Sequence, residues 1–261
     1  MSRPDVRRPP GVLGTILTQT LQDLETAPKP GVRPVGLLMR DFAGALSAPG
    51  LGLIAEVKPR SPSAGVLRDP LDIDALAAAY APEAAAVSVL VDERFFGGGY
   101  GLLQAMRARL PCPILAKGFF VDERQVQAAA AAGADAVLLM AALLPPDRLA
   151  ALDAFAASLG LQTLMEAHDD AELQEVLDVG GRVVGVNSRD LQTLSIDLEG
   201  ARQRLARVPT DRIRVAESGL HTPAAIDAVR PIADAVLMGT ALMKAPSPAH
   251  TIAALGLGRA R

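Results

Sequence analysis

An acid and a base stand together at the end of an apolar run near the start of this chain. Residues 51–57 read LGLIAEV and are bounded by prolines, which is typical of a short strand buried on both faces. Glu56 and Lys58 lie two positions apart, so on a strand their side chains point to the same side. Ser61 follows in a loop of small residues. Charged groups at the end of a buried strand are costly unless they pair with each other or serve chemistry.

The same arrangement recurs along the chain. Apolar runs that we interpret as strands lie at residues 51–57, 85–91, 113–116, 136–140, 162–165, 183–186, 213–216 and 235–238. All but the fourth end in ionisable or hydrogen-bonding residues, and the candidates after the first run are Phe96, Lys117, Phe119, Glu166, Asn187, Arg189, Glu217, Ser218, Gly219, Gly239 and Thr240. Surface charges scattered at random would not recur at the end of each apolar run.

Alanine- and leucine-rich stretches typical of helices separate the apolar runs. They lie at residues 71–80, 101–110, 123–132, 146–159, 171–179, 198–206, 223–229 and 248–255. This alternation predicts parallel strands with helical crossovers, and eight such units favour a closed (β/α)8 TIM barrel of the α/β class. We expect a single domain over residues 1–261. Residues 1–48 would form an N-terminal helical extension, with helices at 12–25 and 37–46, and residues 49–261 would form the barrel.

A phosphate site is one of two sub-sites that this fold would build at the carboxyl ends of its strands. Ser218-Gly219 and Gly239-Thr240 follow the last two strands, where TIM barrels commonly hold a phosphate on backbone N–H groups and a helix N-terminus. Ser61 would lie nearby, because the eighth strand neighbours the first in a closed ring. The alternative is that these glycines only make tight turns.

The second sub-site would be one for acid–base chemistry. Lys58 and Lys117 would face Glu56, Glu166 and Glu217 across the barrel mouth. Crowded lysines lose protons more readily, and nearby carboxylates oppose that loss. A lysine placed in this way can donate a proton to a carbonyl or hydroxyl oxygen, and a glutamate can accept one.

The aromatic and histidine side chains near these residues could belong either to the site or to the supporting structure. Phe96 and Phe119 could supply flat apolar walls for an aromatic ligand, or could fill the core. His168 comes two residues after Glu166 at the start of a helix, and we interpret it as part of a helix cap rather than as a catalytic group. The three histidines do not cluster, so we expect no metal site.

Composition excludes several classes of partner. The net charge of −3 and a pI near 5.7 give no basic footprint for nucleic acid. The single cysteine, Cys112, rules out an intramolecular disulfide and fits a reducing cytosol. The first ten residues are not followed by the apolar segment of a signal peptide, and no apolar run reaches the length of a membrane span. We expect a cytoplasmic protein that does not bind membranes, and a monomer.

Several runs of the sequence resemble one enzyme family. The segments IAEVKPRSPSAG, SVLVDERFFGG, LAKGFFVD, GADAVLLMAALL, LMEAHDDAEL, VVGVNSRDLQTLSIDL, VAESGL and AVLMGTALM resemble indole-3-glycerol phosphate synthase, in the right order, from about Val12 to the C-terminus. The combination of AEVK with SPS, VNSRDL and AESG is highly specific. The resemblance implies a (β/α)8 barrel with an extra helical segment over its mouth.

The resemblance also implies a reaction. It is the conversion of 1-(2-carboxyphenylamino)-1-deoxyribulose 5-phosphate to indole-3-glycerol phosphate with loss of carbon dioxide and water, a step in tryptophan biosynthesis. This would make the protein a carbon–carbon lyase of the carboxy-lyase type that needs no metal or organic cofactor. Its only expected partner is the phosphorylated small-molecule substrate.

Matching motif to motif assigns a role to each candidate. Lys117 would be the general acid of ring closure and Glu166 its acid–base partner in the dehydration. Glu56 and Lys58 would bind and polarise the substrate, with Lys58 a second candidate proton donor. Asn187 and Glu217 would contact hydroxyl groups and developing charge, and Arg189 would position neighbouring groups. Phe96 and Phe119 would contact the aromatic ring. The phosphate would be bound by Ser61, Ser218, Gly219, Gly239 and Thr240.

The sequence departs from the family at the central lysine. The family usually reads Arg-Lys-Asp-Phe there, whereas this chain reads Ala116-Lys117-Gly118-Phe119, and it has Val91 where the family usually has threonine. The missing carboxylate would have helped to keep Lys117 charged and oriented. The hypothesis is that Lys117 is more mobile and turnover slower, so that Gly118→Asp would raise the rate.

Three other functions remain open at this point. An isomerase of an aminoaldose phosphate would often pair an acid with a cysteine or a second aspartate at strand ends, but Cys112 precedes its strand and would lie at the opposite end of the barrel. An aldolase could use Lys117 as a Schiff-base nucleophile. A non-catalytic protein could bind the phosphorylated substrate or product without turnover.

Overall fold

Eight parallel strands close into a barrel in the part of the chain that the structure describes. This computed structural model describes residues 4–190 and 193–258. Its strands are β1 (Gly52–Val57), β2 (Arg60–Ser61), β3 (Gly65–Val66), β4 (Ala86–Leu90), β5 (Ile114–Lys117), β6 (Ala136–Met140), β7 (Gln162–Ala167), β8 (Val183–Asn187), β9 (Ile213–Glu217) and β10 (Ala235–Met238). β1 and β4 to β10 follow one another around the barrel, and β10 pairs with β1 to close it. The predicted TIM barrel is confirmed.

Helices connect the strands and cover the outside of the barrel. In the described residues they are α1 (Gly11–Thr26), α2 (Phe42–Leu46), α3 (Ile73–Tyr80), α4 (Glu93–Phe96), α5 (Tyr100–Arg109), α6 (Glu123–Ala132), α7 (Pro146–Ser158), α8 (Asp170–Val179), α9 (Leu198–Leu205), α10 (Pro223–Val229), α11 (Thr240–Lys244) and α12 (Pro248–Ala254). The eight predicted crossover helices are confirmed. The pattern did not predict the hairpin of β2 and β3, nor α4 and α11, which are short elements of the loops that follow strands. None of the helices in the described ranges is long and apolar enough to cross a membrane.

Four barrel strands run one or two residues further than the sequence predicts. Lys117, Glu166, Asn187 and Glu217 therefore lie on strands rather than after them. Asn187 and Glu217 are direct partners in the ladder between β8 and β9. The apolar pattern ends at the first polar residue, whereas the backbone ladder continues because these polar side chains find partners inside the barrel.

The second predicted N-terminal helix is much shorter than expected. Only α2 is helical, and residues 37–41 are not. Their backbone groups bond to the barrel instead, because the Arg40 N–H donates to Asp135 and the Leu38 carbonyl accepts from Arg107. Tertiary hydrogen bonds here replace those of a helical turn.

A buried carboxylate fastens this N-terminal extension to the amino-terminal end of the barrel. Asp135, just before β6, is completely buried and pairs with Arg107 of α5. Its Oδ2 also accepts from the Ile114 N–H at 2.8 Å, and its Oδ1 accepts from the Arg40 N–H at 2.9 Å. Arg33 approaches Oδ1 within 3.8 Å. One side chain thus joins the extension, a helix and two strands.

The sequence contains an echo of this site in its second half, since ADAVL at residues 134–138 recurs at 233–237. The echo indicates either a half-barrel repeat or a similar solution for a helix-to-strand turn. Asp234 accepts from the Arg214 N–H of the neighbouring strand at 2.8 Å, as Asp135 does from Ile114, and it also pairs with the Arg214 guanidinium at 3.0 Å. The shared bond across neighbouring strands favours the turn explanation.

These two aspartates give a matched test of how the barrel is held together. We expect Asp135→Asn to lower the free energy of unfolding by about 3–5 kcal/mol, because it leaves buried arginine charge without its counterion. Asp234→Asn, whose side chain is 31% exposed, should cost about 1 kcal/mol or less. Urea unfolding of the two variants measures the difference. Equal losses would contradict this account of the anchor.

Candidate active site

A cavity of about 470 Å³ opens at the carboxyl ends of the barrel strands. Val12, Leu13 and Ile16 of α1 line it, so the N-terminal helix covers the mouth as the resemblance implied. Thirteen of the fourteen predicted site residues also line it, namely Glu56, Lys58, Ser61, Phe96, Lys117, Phe119, Glu166, Asn187, Arg189, Ser218, Gly219, Gly239 and Thr240. The remaining one, Glu217, is not part of the lining and lies directly against Lys117.

The ammonium group of Lys117 is surrounded by three carboxylates. Its Nζ lies 2.7 Å from Glu217 Oε2, 3.5 Å from Glu166 Oε2 and 3.8 Å from Glu56 Oε2. Each carboxylate comes from a different strand, and the lysine side chain is only 14% exposed. Burial alone would lower the pKa of Lys117, but the carboxylates outweigh it and raise that pKa well above its usual range. These contacts favour the charged ammonium form of Lys117.

Glu56 and Lys58 form the close pair that their spacing predicts. Their charged atoms, Lys58 Nζ and Glu56 Oε1, are 2.5 Å apart. Burial would raise the pKa of the Glu56 carboxyl, but the two neighbouring lysines, Lys58 and Lys117, hold it below its usual value. Glu56 thus bridges the two cations of the site.

Glu166 and Glu217 are buried next to each other, and their pKa values shift in opposite directions. Burial favours the neutral form of both, and the charge of Lys117 opposes it in both. The pKa of Glu166 is lowered, whereas that of Glu217 is raised, because the charge on Glu166 acts against the ionisation of Glu217. The pair is therefore one ionised carboxylate and one that holds its proton more strongly.

Two residues without side chains give these carboxylates room. A Cβ at Gly239 would lie 2.0 Å from Glu56 Oε1, and one at Gly185 of β8 would lie 2.2 Å from Glu217 Oε1. Any larger residue would displace the carboxylates from the lysine. Gly239, which the sequence suggested only as a phosphate ligand, thus also sets the position of Glu56.

The predicted phosphate residues come together at the ends of β1, β9 and β10. Ser218 has a φ of 66°, in the left-handed region that is unusual for a residue other than glycine. Its carbonyl accepts from Ser188 Oγ at 3.1 Å, which holds this turn. The residues that line the cavity in this region are Ser61, Ser218, Gly219, Gly239 and Thr240. Strained backbone at a cavity wall is typical of a binding site.

Apolar walls and a tied loop complete the cavity. The rings of Phe96 and Phe119 lie 5.8 Å apart and tilted by 35°, and both face the cavity rather than only the core. Asn187 Oδ1 accepts from the Arg189 N–H at 3.0 Å, and the Arg189 guanidinium donates to the Leu194 carbonyl at 3.0 Å. Arg189 therefore ties Asn187 to Leu194, and its role as a positioning residue stays a prediction.

The sequence analysis missed the position of His168. The helix cap of α8 is Asp169, whereas the imidazole of His168 lies 3.3 Å from Glu166 Oε1. The signal was present, because Glu166 and His168 have the same two-residue spacing as Glu56 and Lys58. In residues 4–190 and 193–258, no group of three or more His, Cys, Asp or Glu side chains has the arrangement of a metal site.

Comparison with known proteins agrees with the motifs. The family model of indole-3-glycerol phosphate synthase matches residues 20–255. The chain belongs to the indole-3-glycerol phosphate synthase family. It is 47% identical over 218 residues to indole-3-glycerol phosphate synthase 2 of Streptomyces coelicolor, covering 83% of this chain and 84% of that protein. It is 44% identical over 243 residues to the synthase of Roseiflexus castenholzii, covering 89% and 87%. Its function is the synthesis of indole-3-glycerol phosphate in the pathway to tryptophan.

Solved structures support the fold independently. A crystal structure of 3-hexulose-6-phosphate synthase superposes with a TM-score of 0.64 at 18% identity, covering 78% of this chain and 98% of that one. A thiamine phosphate pyrophosphorylase from Pyrococcus furiosus superposes with a TM-score of 0.60 at 16% identity, covering 83% and 96%. At these identities the likeness concerns the barrel alone.

Gly118, where the family usually has aspartate, is packed against Val91. A Cβ at Gly118 would lie 2.8 Å from Val91 Cγ2 and 3.4 Å from the Phe120 ring. Two of the three departures from the family pattern, Gly118 and Val91, therefore meet at one place. The three carboxylates around Lys117 also supply the charge that the missing aspartate was expected to supply. Slower turnover than in the rest of the family stays a prediction.

This contact changes the outcome expected of Gly118→Asp. We expect the single substitution to lower turnover and to cost about 1–3 kcal/mol of stability, because the new side chain is forced against Val91. Val91→Ala in the same chain should recover most of that stability. Gly101→Ala is the control, since nothing lies within 4 Å of a Cβ at Gly101 of α5. Chemical unfolding and initial rates measure both effects, and a faster Gly118→Asp enzyme would restore the mobility hypothesis.

Proposed function

We propose that this synthase acts as a carboxy-lyase in which Lys117 is the general acid of ring closure. The substrate would be 1-(2-carboxyphenylamino)-1-deoxyribulose 5-phosphate. A ring carbon attacks the ketone, carbon dioxide leaves to restore the aromatic ring, and water is then lost. The observation that carries the proposal is the position of the Lys117 ammonium group, at the cavity wall among three carboxylates.

Ring closure needs a proton at the ketone oxygen as negative charge builds there. An ammonium group kept charged by its neighbours can deliver that proton, and it costs little reorganisation because its position is fixed beforehand. Glu217 lies behind Lys117 and outside the cavity lining, so we assign it to holding the lysine rather than to binding hydroxyl groups. Of the two residues, we assign Asn187 to contact the hydroxyl groups of the substrate.

Dehydration needs a base and a second acid. Glu166 lines the cavity, and Lys117 and His168 lower the pKa of its buried carboxyl, so we assign this carboxylate as the base that takes a proton from the substrate. Lys58, which directly follows β1 and pairs with Glu56 of that strand, is the candidate donor to the departing hydroxyl. The two lysines thus serve different steps.

Binding energy from the remote ends of the substrate would position the reacting atoms. The phosphate fits the small residues at the ends of β1, β9 and β10, and the anthranilate ring fits between the two phenylalanines and α1. Catalysis by these residues uses no metal or organic cofactor in this proposal. We also propose that the protein acts as a monomer in the cytoplasm.

The Schiff-base alternative fits the geometry less well. A nucleophilic lysine must be neutral, and carboxylates that keep Lys117 charged oppose that. The isomerase alternative fails on position, because Cys112 lies buried before β5, at the opposite end of the barrel from the cavity.

The assignment of roles is tested by turnover of the proposed substrate. Lys117→Ala and Glu166→Gln should each lower kcat at least about 100-fold, as expected on removal of a general acid or base. Indole fluorescence follows the product, and the chain contains no tryptophan to add background. Lys29→Ala is the control, since that lysine is exposed and outside the cavity lining. Undiminished turnover by Lys117→Ala would reject the assignment, and a borohydride-trapped adduct would favour the aldolase.

A further inference from the structure

His168 lies between two carboxylates just behind the cavity. Its Nε2 is 3.3 Å from Glu166 Oε1, and its Nδ1 is 3.1 Å from Glu172 Oε2 in the first turn of α8. The same Glu172 oxygen accepts the backbone N–H of His168 at 2.8 Å, which fixes the position of the carboxylate. The imidazole is 12% exposed and is not part of the cavity lining, so it can act on the substrate only through Glu166.

A carboxylate at each ring nitrogen favours the doubly protonated imidazole. A neutral histidine has one N–H and one lone pair, so one of the two carboxylates would face a lone pair. An imidazolium places a protonated nitrogen within 3.3 Å of an oxygen of each carboxylate. In agreement, burial would lower the pKa of His168, but Glu166 and Glu172 outweigh it and raise that pKa to about 10.

The other charged groups around His168 do not cancel this effect. From the N-terminal segment, Arg7 approaches α8, but its guanidinium pairs with Glu175 at 2.6 Å, and it interacts more weakly with Glu172 and Asp169. From β5 and β9, Lys117 and Glu217 face Glu166 rather than the imidazole. Glu166 and Glu172 are therefore the groups that set the charge of His168.

This arrangement distinguishes the two buried carboxylates of the active site. Glu166 has a cation at each oxygen, His168 at Oε1 and Lys117 at Oε2. Among the residues that the structure describes, Glu217 pairs with one cation, Lys117. A proton shared between Glu166 and Glu217 will therefore reside on Glu217, which leaves Glu166 free to act as the base.

We propose that His168 is a positioning residue for the reaction: its imidazolium, held by Glu172, keeps the carboxylate of Glu166 ionised at the cavity wall. The inference rests on the proposed role of Glu166 as the base. His168 thereby determines which of two neighbouring glutamates accepts a proton from the substrate.

The protonation state of His168 can be measured directly in the free enzyme. The chain has three histidines, so protein labelled with ¹⁵N-histidine gives three pairs of ring-nitrogen signals, and the pair absent from His168→Gln is that of His168. We expect both ring nitrogens of His168 to stay protonated up to about pH 8, well above the usual histidine pKa. A neutral tautomer of His168 at about pH 7 would overturn the proposal.

The catalytic consequence is tested by the pH profile of kcat. His168→Gln keeps a polar side chain but removes the cation, which raises the pKa of Glu166, so the acidic limb of the profile should move to higher pH by about one unit or more. KM should change little, because His168 does not line the cavity. Glu172→Gln should move the His168 titration to lower pH and the acidic limb in the same direction as His168→Gln, by less. His250→Asn, an exposed histidine of α12, is the control.

The two proposals fail in different ways. A uniform loss of kcat at every pH in His168→Gln, or an unchanged profile, would reject the positioning role while Lys117→Ala and Glu166→Gln remain inactive. If Glu166→Gln is itself active, the proposed function of Glu166 fails, whatever His168 does. Circular dichroism and an unfolding curve show whether His168→Gln is folded. If it is not, the pH profile of Glu172→Gln, which retains the imidazole, tests the proposal instead.

Discussion

The ammonium group of Lys117 holds together a cluster of charges that the barrel could not otherwise bury. Three carboxylates from β1, β7 and β9 converge on it within 3.8 Å. An unpaired charge in such a place costs several kcal/mol by general estimates, and each partner therefore depends on the others. Lys58 and His168 add a further cation on either side. The result is a fixed array of donors and acceptors facing one cavity.

Closure of the barrel is what brings these groups together. The chain separates Lys117 from Glu217 by 100 residues, and only a complete ring of strands places their charged atoms 2.7 Å apart. The Asp135 anchor at the amino-terminal end joins the N-terminal extension to that ring. Helix α1, at the other end, then covers the charged cavity with apolar side chains and strengthens the electrostatic interactions there by excluding water.

Strand periodicity predicted the barrel and nearly all of the site, because the residues that follow the strands of a TIM barrel lie together at its carboxyl-terminal end. The motifs supplied the family. Periodicity could not show that Glu217 lies behind Lys117 rather than in the cavity, since both face inward. Periodicity also could not show that His168 pairs with two carboxylates instead of capping a helix, because Glu166 and Glu172 come close to each other only after α8 packs against β7. The contact between Gly118 and Val91 likewise joins residues of neighbouring strands that no local pattern connects.

The most direct test of this account is the protonation of the Lys117 ammonium group itself. The chain has four lysines, so ¹⁵N-lysine labelling gives few signals, and Lys117→Ala assigns the relevant one. The account predicts that the Lys117 signal stays that of an ammonium group up to about pH 11, beyond the point at which a model lysine peptide in the same sample loses its proton. Loss of the proton below the pH of that reference would show that burial outweighs the carboxylates. Lys117 could then not be the charged acid on which the site depends.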